Sequence, residues 1–449
     1  MAFTGIQIFK YLPKKNCGEC KHPTCLAFAM KLAASQAKLE ACPYVSEEGK
    51  AVLAEASAPP IRLVKIGQGD FSHEVGEETV LFRHDKKFFH TPGFALHIDD
   101  SLGDDEINSK LKVVEDSSIE RIGQILTVKL ICINNKSNDA KRFQEVVKNV
   151  CSNTKRSLIL KSLSPEVIKA GLEACIGSNP LIYAANDQNY QQMSELAKEY
   201  KCPLVVKGDG DLDKLSALVE KIVALGVKDI VLDSGDNTTK GLIEKNTLIR
   251  RAAIKKGFKS LGYPTITFPG EGQSDPLIET VKAGIGVAKY AGIIVLNDIA
   301  KGKMLPLFTL MQNIYTDPQQ PMQVEENIYK IGEPTVNSPV LVTTNFSLTY
   351  FIVMGEIESS KIPSWLLIVD AEGMSVLTAW AADKFNAPKV AKMVNKCGIL
   401  DKVSHRNLII PGYVSILSGE IQEELPDWKI VVGPREANNI PVFLKGLDT

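Results

Sequence analysis

Between residues 95 and 296 the chain alternates short apolar runs, rich in β-branched residues, with segments whose apolar positions recur at helical spacing. The runs fall at 95–98, 126–133, 158–160, 181–184, 204–206, 230–232, 265–268 and 293–296. Short apolar runs bounded by turn residues fit strands buried on both faces, and strand–helix alternation fits parallel pairing. One helical segment opens Ser164-Pro165-Glu166, a cap residue, a first-turn proline and an N-terminal acid in order. Eight such units predict a (β/α)8 TIM barrel over residues 93–318, with a doubly wound open sheet as the alternative. Ahead of it, residues 59–92 form a linker and a hairpin pairing 62–66 with 79–82. After the polar stretch 320–327, four further strands at 340–344, 365–369, 408–410 and 430–432 predict a compact, doubly wound Rossmann-like α/β domain over residues 326–449.

The first 58 residues follow neither pattern. They carry Cys17, Cys20 and Cys25 in one short run, with Cys42 following sixteen residues after the third. Four thiolates at this spacing predict a metal site: a turn presents three ligands, and a helix capped by Thr24 and running over 25–39 brings back the fourth. The apolar face of that helix is expected to hold Leu26, Met30, Ala33 and Ala37. Structural zinc commonly uses two matched CxxC knuckles, and only one pair here has that spacing. A tight three-ligand loop with a remote Cys42-Pro43 favours a four-iron cluster over zinc, and both over disulfides. His22, inside the loop, reads as a solvated turn residue. So small a unit depends on its metal for stability, and residues 55–60, ending in Pro59-Pro60, read as its tether.

The formal net charge of −1 argues against a nucleic-acid surface or an anionic membrane as partner. No apolar run reaches a membrane span and the first residues lack signal-peptide character, so a cytoplasmic protein is expected. The other five of the nine cysteines are scattered and read as small core residues.

Polar residues gather after the strands. In the barrel these are Asp99, Asp100, Asn134, Asn135, Asn186, Asp187, Lys207, Asp209, Asp233, Asp236, Asn237, Glu271, Asn297 and Asp298. Such a ring suits general acid–base work or a pterin-like heterocycle, but Asp and Asn are also ordinary cap and turn residues. His97 is read as a lone packed histidine. In the C-terminal domain the strand-end loops are Thr343-Thr344-Asn345-Phe346-Ser347, Asp370 to Ser375, Pro411-Gly412-Tyr413 and Gly433-Pro434-Arg435-Glu436-Ala437. Small residues there let backbone N–H groups approach a large polar ligand.

The cysteine loop, the barrel and the terminal α/β domain, in that order, resemble the large subunit of the corrinoid/iron-sulfur protein of the anaerobic acetyl-CoA (Wood-Ljungdahl) pathway. The resemblance implies that Cys17, Cys20, Cys25 and Cys42 ligate a 4Fe-4S cluster. It implies a cobamide cradled by Thr343, Thr344, Asn345, Ser347, Gly373, Met374, Ser375, Thr378, Pro411, Gly412, Tyr413, Gly433, Pro434, Arg435, Glu436 and Ala437. The Asp-x-His-x-x-Gly motif that supplies a cobalt ligand in many corrinoid methyltransferases is absent. His405, the only histidine of this domain, reads as a surface residue, so the cobamide is expected base-off without a protein histidine.

The resemblance further implies a methyl carrier rather than a stand-alone enzyme. Its implied partners are a smaller TIM-barrel subunit, a methyltetrahydrofolate:corrinoid methyltransferase, acetyl-CoA synthase and a low-potential electron donor. Two rivals remain at this point: a barrel that is itself a pterin-dependent methyltransferase, and a plain electron-transfer protein.

Overall fold

The computed structural model describes residues 5–33, 37, 39–46, 49–50, 53, 59–122, 124–317 and 322–447. Part of the expected 25–39 helix and most of the expected tether at 55–60 lie outside the described residues. By compactness the chain forms two units, residues 1–118 with 127–315, and residues 119–126 with 316–449. No described helix is long and apolar enough to cross a membrane.

In chain order the first unit contains β1 (Val64–Ile66), β2 (His73–Val75) and β3 (Gly93–Asp99). Next comes an antiparallel pair, β4 (Ile119–Arg121) and β5 (Gln124–Leu126), that belongs to the second unit. The remaining strands of the first unit are β6 (Leu130–Asn134), β7 (Ser157–Lys161), β8 (Leu181–Ala185), β9 (Leu204–Lys207), β10 (Ile230–Asp233), β11 (Thr265–Thr267) and β12 (Ala291–Leu296). β3 and β6 to β12 close into one parallel barrel in chain order. Each of the eight predicted runs supplies a barrel strand. The run 126–133 divides, its first residue ending β5 and its last four, 130–133, entering β6.

Alternation along the strands turns Ala95, Leu130, Cys132, Ile159, Leu181, Val205, Val231, Ile266 and Ile293 into one core. Each buried Ile or Leu there contributes about 1.5–3 kcal/mol. Val64, Ile66 and Val75 of the β1–β2 hairpin share that core. The hairpin lies at the amino ends of the strands, where Ser157 Oγ donates to the carbonyl of Phe71 at 2.8 Å. Its second strand is 73–75, not the expected 79–82. The polar His73 occupies an inward position and hides the alternation, whereas 79–82 is held by side chains: Arg250 Nη2 donates to Val80 O at 2.7 Å and Tyr290 Oη to Leu81 O at 2.9 Å.

The second unit is a five-stranded sheet of β13 (Ile328–Ile331), β14 (Val340–Thr344), β15 (Ser364–Val369), β16 (Asn407–Ile410) and β17 (Lys429–Val432). The spatial order is β13-β15-β14-β16-β17, parallel except for β13 at the edge. The four predicted strands appear, and the edge strand β13 is an addition. Apolar cores cover both faces: Val342, Leu367 and Ile410 pack with the helix Ala387–Lys396, while Leu341, Ile368 and Ile409 pack with Tyr350 and Ile357 of the helix Ser347–Ser360. Ile122, at the tip of the β4–β5 hairpin, is buried in the latter core.

His73 has a measurable consequence. Burial, reinforced by the Lys129 charge, lowers its imidazole from 6.5 to about 3. The unfolded chain therefore takes up this proton first, and stability falls as pH drops from about 6.5 towards 3. Urea unfolding at pH 5 is expected to show His73→Gln relieved of about 2 kcal/mol of the acid destabilisation suffered by the parent.

Candidate cluster and cofactor sites

The cysteine segment folds tightly. Lys14, Asn16, Gly18 and Lys21 all take left-handed φ values, 58°, 49°, 75° and 64°. Asn16 Oδ1 accepts the Cys25 N–H at 2.8 Å and Thr24 Oγ1 accepts the Ala27 N–H at 3.1 Å, which starts the helix Cys25–Ala33 at the expected cap. The buried face differs from expectation. Leu26 and Met30 are exposed, whereas Cys25, Phe28 and Ala29 turn inward to meet Ile8, Leu12, Cys42 and Val45. The third cysteine is itself a core position, and this sets the face. His22 is half-buried against Phe28, ring centroids 5.5 Å apart, rather than solvated.

Cys25 and Cys42 thus lie within one small core, Cys20 packs on its edge, and Cys17 is exposed. All nine thiols are free. Among the described residues, no three His, Cys, Asp or Glu side chains converge closely enough to hold a metal ion. The surroundings nevertheless suit a sulfur-ligated centre: apolar walls, and Lys15 Nζ 4.1 Å over the Tyr44 ring two residues after Cys42. Tyr44 Oη in turn donates to Glu19 Oε1 at 2.8 Å, tying the loop to the segment that follows Cys42.

The strand order of the second unit reverses at β14, whose neighbours β15 and β16 follow it in sequence on opposite sides. Ligands of parallel α/β sheets lie at the carboxyl ends of strands at such a point. Asn345 organises this edge. Its Oδ1 accepts from Ala371 N at 3.0 Å and Gly373 N at 2.9 Å, and its Nδ2 donates to Asp370 Oδ1 at 2.9 Å and Gln323 Oε1 at 3.3 Å. Its backbone N–H donates to Val369 O and its carbonyl accepts from Val324 N. Three chain segments are thereby fixed by one side chain.

Across the reversal, Gly412 N donates to Pro434 O at 3.0 Å. A Cβ on Gly412 would lie 2.5 Å from Gly433 O and 2.7 Å from Arg435 N, so only glycine allows the two loops to touch. Tyr413 Oη donates to Glu436 Oε1 in a second link between them. The predicted loop residues divide by depth. Thr343, Thr344, Asn345, Gly373 and Gly412 are buried; Ser347, Met374, Ser375, Pro411, Gly433, Pro434 and Ala437 are half-buried; Thr378, Tyr413, Arg435 and Glu436 are exposed. The hydroxyls of Thr343 and Thr344 are buried without a hydrogen-bond partner. Gln323 is a member that sequence reasoning missed, lost in a polar stretch that reads as a boundary.

His405 is not a free surface residue. It stands just before the amino end of β16, opposite the loops, with Nε2 3.0 Å from Ser338 O and Nδ1 accepting the Asn407 N–H at 3.2 Å.

The polar ring of the barrel separates into two sets. Asn186, Asp209, Asp236 and Asp298 accept backbone N–H groups two residues along and shape turns, whereas Asp100 reaches the loop after β6 and accepts Lys136 N and Ser137 N. Asp99, Asn134, Asp233, Asn237 and Glu271 bond to groups from other strands and their loops: Asn134 Nδ2 donates to Asp99 Oδ1 at 2.7 Å, Tyr183 Oη to Asp233 Oδ2 at 2.8 Å, and Asn237 Nδ2 to Glu271 Oε2 at 2.8 Å. His97 is not alone, since its Nε2 sits 3.0 Å from Asp99 Oδ1. Burial opposes ionisation of Asp99, but hydrogen bonds from Asn134, His97 and Lys136 outweigh it and hold its carboxyl at about 2.

The family described as "CO dehydrogenase/acetyl-CoA synthase delta subunit" matches residues 63–444, and one described as "Putative Fe-S cluster" matches residues 12–44. The corrinoid/iron-sulfur protein large subunit of Moorella thermoacetica is 47% identical over 445 residues, 99% of each chain. The chain belongs to the family of corrinoid/iron-sulfur protein large subunits. Within this family, acetyl-CoA decarbonylase/synthase complex subunit gamma 1 of Methanosarcina mazei is 38% identical over 98% of this chain and 97% of its own. The gamma subunit of Methanothermobacter thermautotrophicus is 33% identical over 100% of this chain and 99% of its own. The iron-sulfur match covers all four cysteines of the N-terminal segment.

Asn345→Ala would leave the Ala371 and Gly373 amides without their buried acceptor. It is expected to cost about 1–3 kcal/mol in chemical unfolding.

Proposed function

We propose that this chain is a methyl carrier, with an N-terminal 4Fe-4S cluster and a cobamide held at the carboxyl edge of its C-terminal, Rossmann-like sheet. The likeness over 99% of each chain to the Moorella thermoacetica protein carries this reading, since that protein is named as the large subunit of a corrinoid/iron-sulfur protein. When bound, the cobamide supplies a nucleophilic cobalt that takes a methyl group from methyltetrahydrofolate and yields it to acetyl-CoA synthase, and the cluster supplies the electron that restores oxidised cobalt.

Cys17, Cys20, Cys25 and Cys42 would hold the cluster. Cys25 and Cys42 lie deepest in the segment's core and Cys17 at its surface. A low-dielectric lining destabilises added charge, and lysines nearby offset it, so both act on the cluster's potential. The loops at 343–347, 373–378, 411–413 and 433–437 would hold the cobamide. Thr343 and Thr344 bring buried hydroxyls without partners to that edge, and Gly412 brings two backbones together there. His405 is engaged at the far end of its strand. No imidazole of the domain then stands ready as a lower cobalt ligand, which supports base-off binding; axial ligation is a principal control on a metal's potential.

The partners in this scheme are a smaller TIM-barrel subunit, a methyltetrahydrofolate:corrinoid methyltransferase, acetyl-CoA synthase and a low-potential electron donor. The ultraviolet-visible spectrum of anaerobically purified protein is expected to show corrinoid and cluster bands together. Cys20→Ala should spare methyl transfer from methyltetrahydrofolate to cobalt already reduced to Co(I) while abolishing electron-dependent reactivation of Co(II). Equal loss of both would make the cluster structural, and methyl transfer to free cobamide by the chain alone would favour a barrel methyltransferase.

A further inference from the structure

The carboxyl end of the barrel has no part in the proposed reaction, yet its inward-facing residues differ in kind from those deeper in. Following the alternation from the core positions Ala95, Leu130, Ile159, Val205 and Val231 leads to Asp99, Asn134, Lys161, Lys207 and Asp233 at the strand ends. The amino end is plugged by an apolar hairpin, and the carboxyl end is polar. Apolar residues would fill the last layer at lower cost, since each charge placed there must be desolvated.

Beneath these groups lie two aromatic rings. Tyr183 and Phe268 meet edge to face, with centroids 4.9 Å apart. Two ammonium groups stand over them. Lys161 Nζ is 4.4 Å from the Phe268 centroid and 5.6 Å from that of Tyr183, and Lys207 Nζ is 5.8 Å from Tyr183. Both cations therefore converge on one ring from adjacent parts of the barrel wall.

The carboxylates nearby are already engaged, one of them with Lys161 itself. Glu271 Oε1 lies 3.5 Å from Lys161 while Oε2 accepts from Asn237, and Asp99 is held by Asn134, His97 and Lys136. Asp233 accepts the Tyr183 hydroxyl and the Gly235 N–H; burial pushes its carboxyl upward, and these hydrogen bonds and the Lys207 charge oppose that push. Among the described residues, Lys207 has no carboxylate within 4 Å. Lys207 is thus a half-buried ammonium beside a second one and above an aromatic face, with no carboxylate in direct contact, an arrangement that favours an added anion.

We propose that the carboxyl mouth of the barrel binds a small anion, a carboxylate or a phosphate, between Lys161 and Lys207 above Tyr183 and Phe268. The rings favour a planar carboxylate, and two ammonium groups alone suit a tetrahedral phosphate equally. The site is independent of the cluster and of the C-terminal loops, so it stands or falls separately from the methyl-carrier reading.

The test is isothermal titration of the full-length protein, as purified, with sodium benzoate and with sodium phosphate at constant ionic strength. The parent is compared with Lys207→Gln and with Lys214→Gln, a control at an exposed lysine paired with Asp209. At least one anion is expected to bind saturably at one site per chain. Its affinity should fall at least tenfold in Lys207→Gln and stay unchanged in Lys214→Gln. Benzoate alone would assign a carboxylate site, and phosphate alone a phosphate site. Saturable binding of neither would overturn the proposal, as would equal affinity in Lys207→Gln or equal loss in Lys214→Gln. Should Lys207→Gln fail to fold by circular dichroism, Lys161→Gln carries the same comparison.

Discussion

A parallel strand cannot be joined to its neighbour by a tight turn; the chain must cross back over the sheet before the next strand begins. Both units obey that constraint, in all eight barrel strands and in four of the five strands of the second sheet. Each crossover starts at a carboxyl end, so the loops that carry polar side chains collect on one edge of each sheet. The amino edges do structural work instead. In the barrel that edge is sealed by the β1–β2 hairpin, and in the C-terminal sheet it holds His405 in two hydrogen bonds. Chemistry and closure are thus separated along the strand axis by connectivity alone.

The N-terminal segment is governed by a different limit. Among the described residues its core is eight buried side chains, two of which are cysteines a cluster would claim. Few residues can satisfy both packing and ligation, and this explains why Asn16, Thr24 and Tyr44 add local hydrogen bonds around the loop. Where an apolar core is this small, binding energy at the metal becomes folding energy.

The eight barrel strands were legible because strands buried on both faces must be continuously apolar, and no other element gives that signal at such regular intervals. In the second unit β14, β15 and β16 are legible for the same reason, and the edge strand β17, with no fully buried residue, by its apolar run alone. Two elements with weaker apolar patterns are not. β2 hides its alternation behind His73, and β13 lies at an edge where only Ile331 is fully buried. The buried face of the helix after Cys25 is hidden from the sequence because Cys25, a candidate ligand by its spacing, packs as an apolar residue and turns Phe28 and Ala29 inward with it. Side-chain networks were least legible of all. Asn345, Asp370 and Gln323 become a unit only through three-dimensional proximity, and no spacing along the chain announces that one amide will tie three segments together.

The β4–β5 hairpin shows how far chain order and fold order can diverge. Ile122 is buried among residues that lie about two to three hundred positions later, from Val324 to Leu444. During synthesis at about 5–20 residues per second, this tip emerges on the order of ten seconds or more before its covering. Until then an isoleucine-tipped ribbon is a loose end on a nascent barrel. The C-terminal unit is therefore no module that could be appended or removed by cutting once, and any ancestral fusion that built this chain had to weave the two units together at three points.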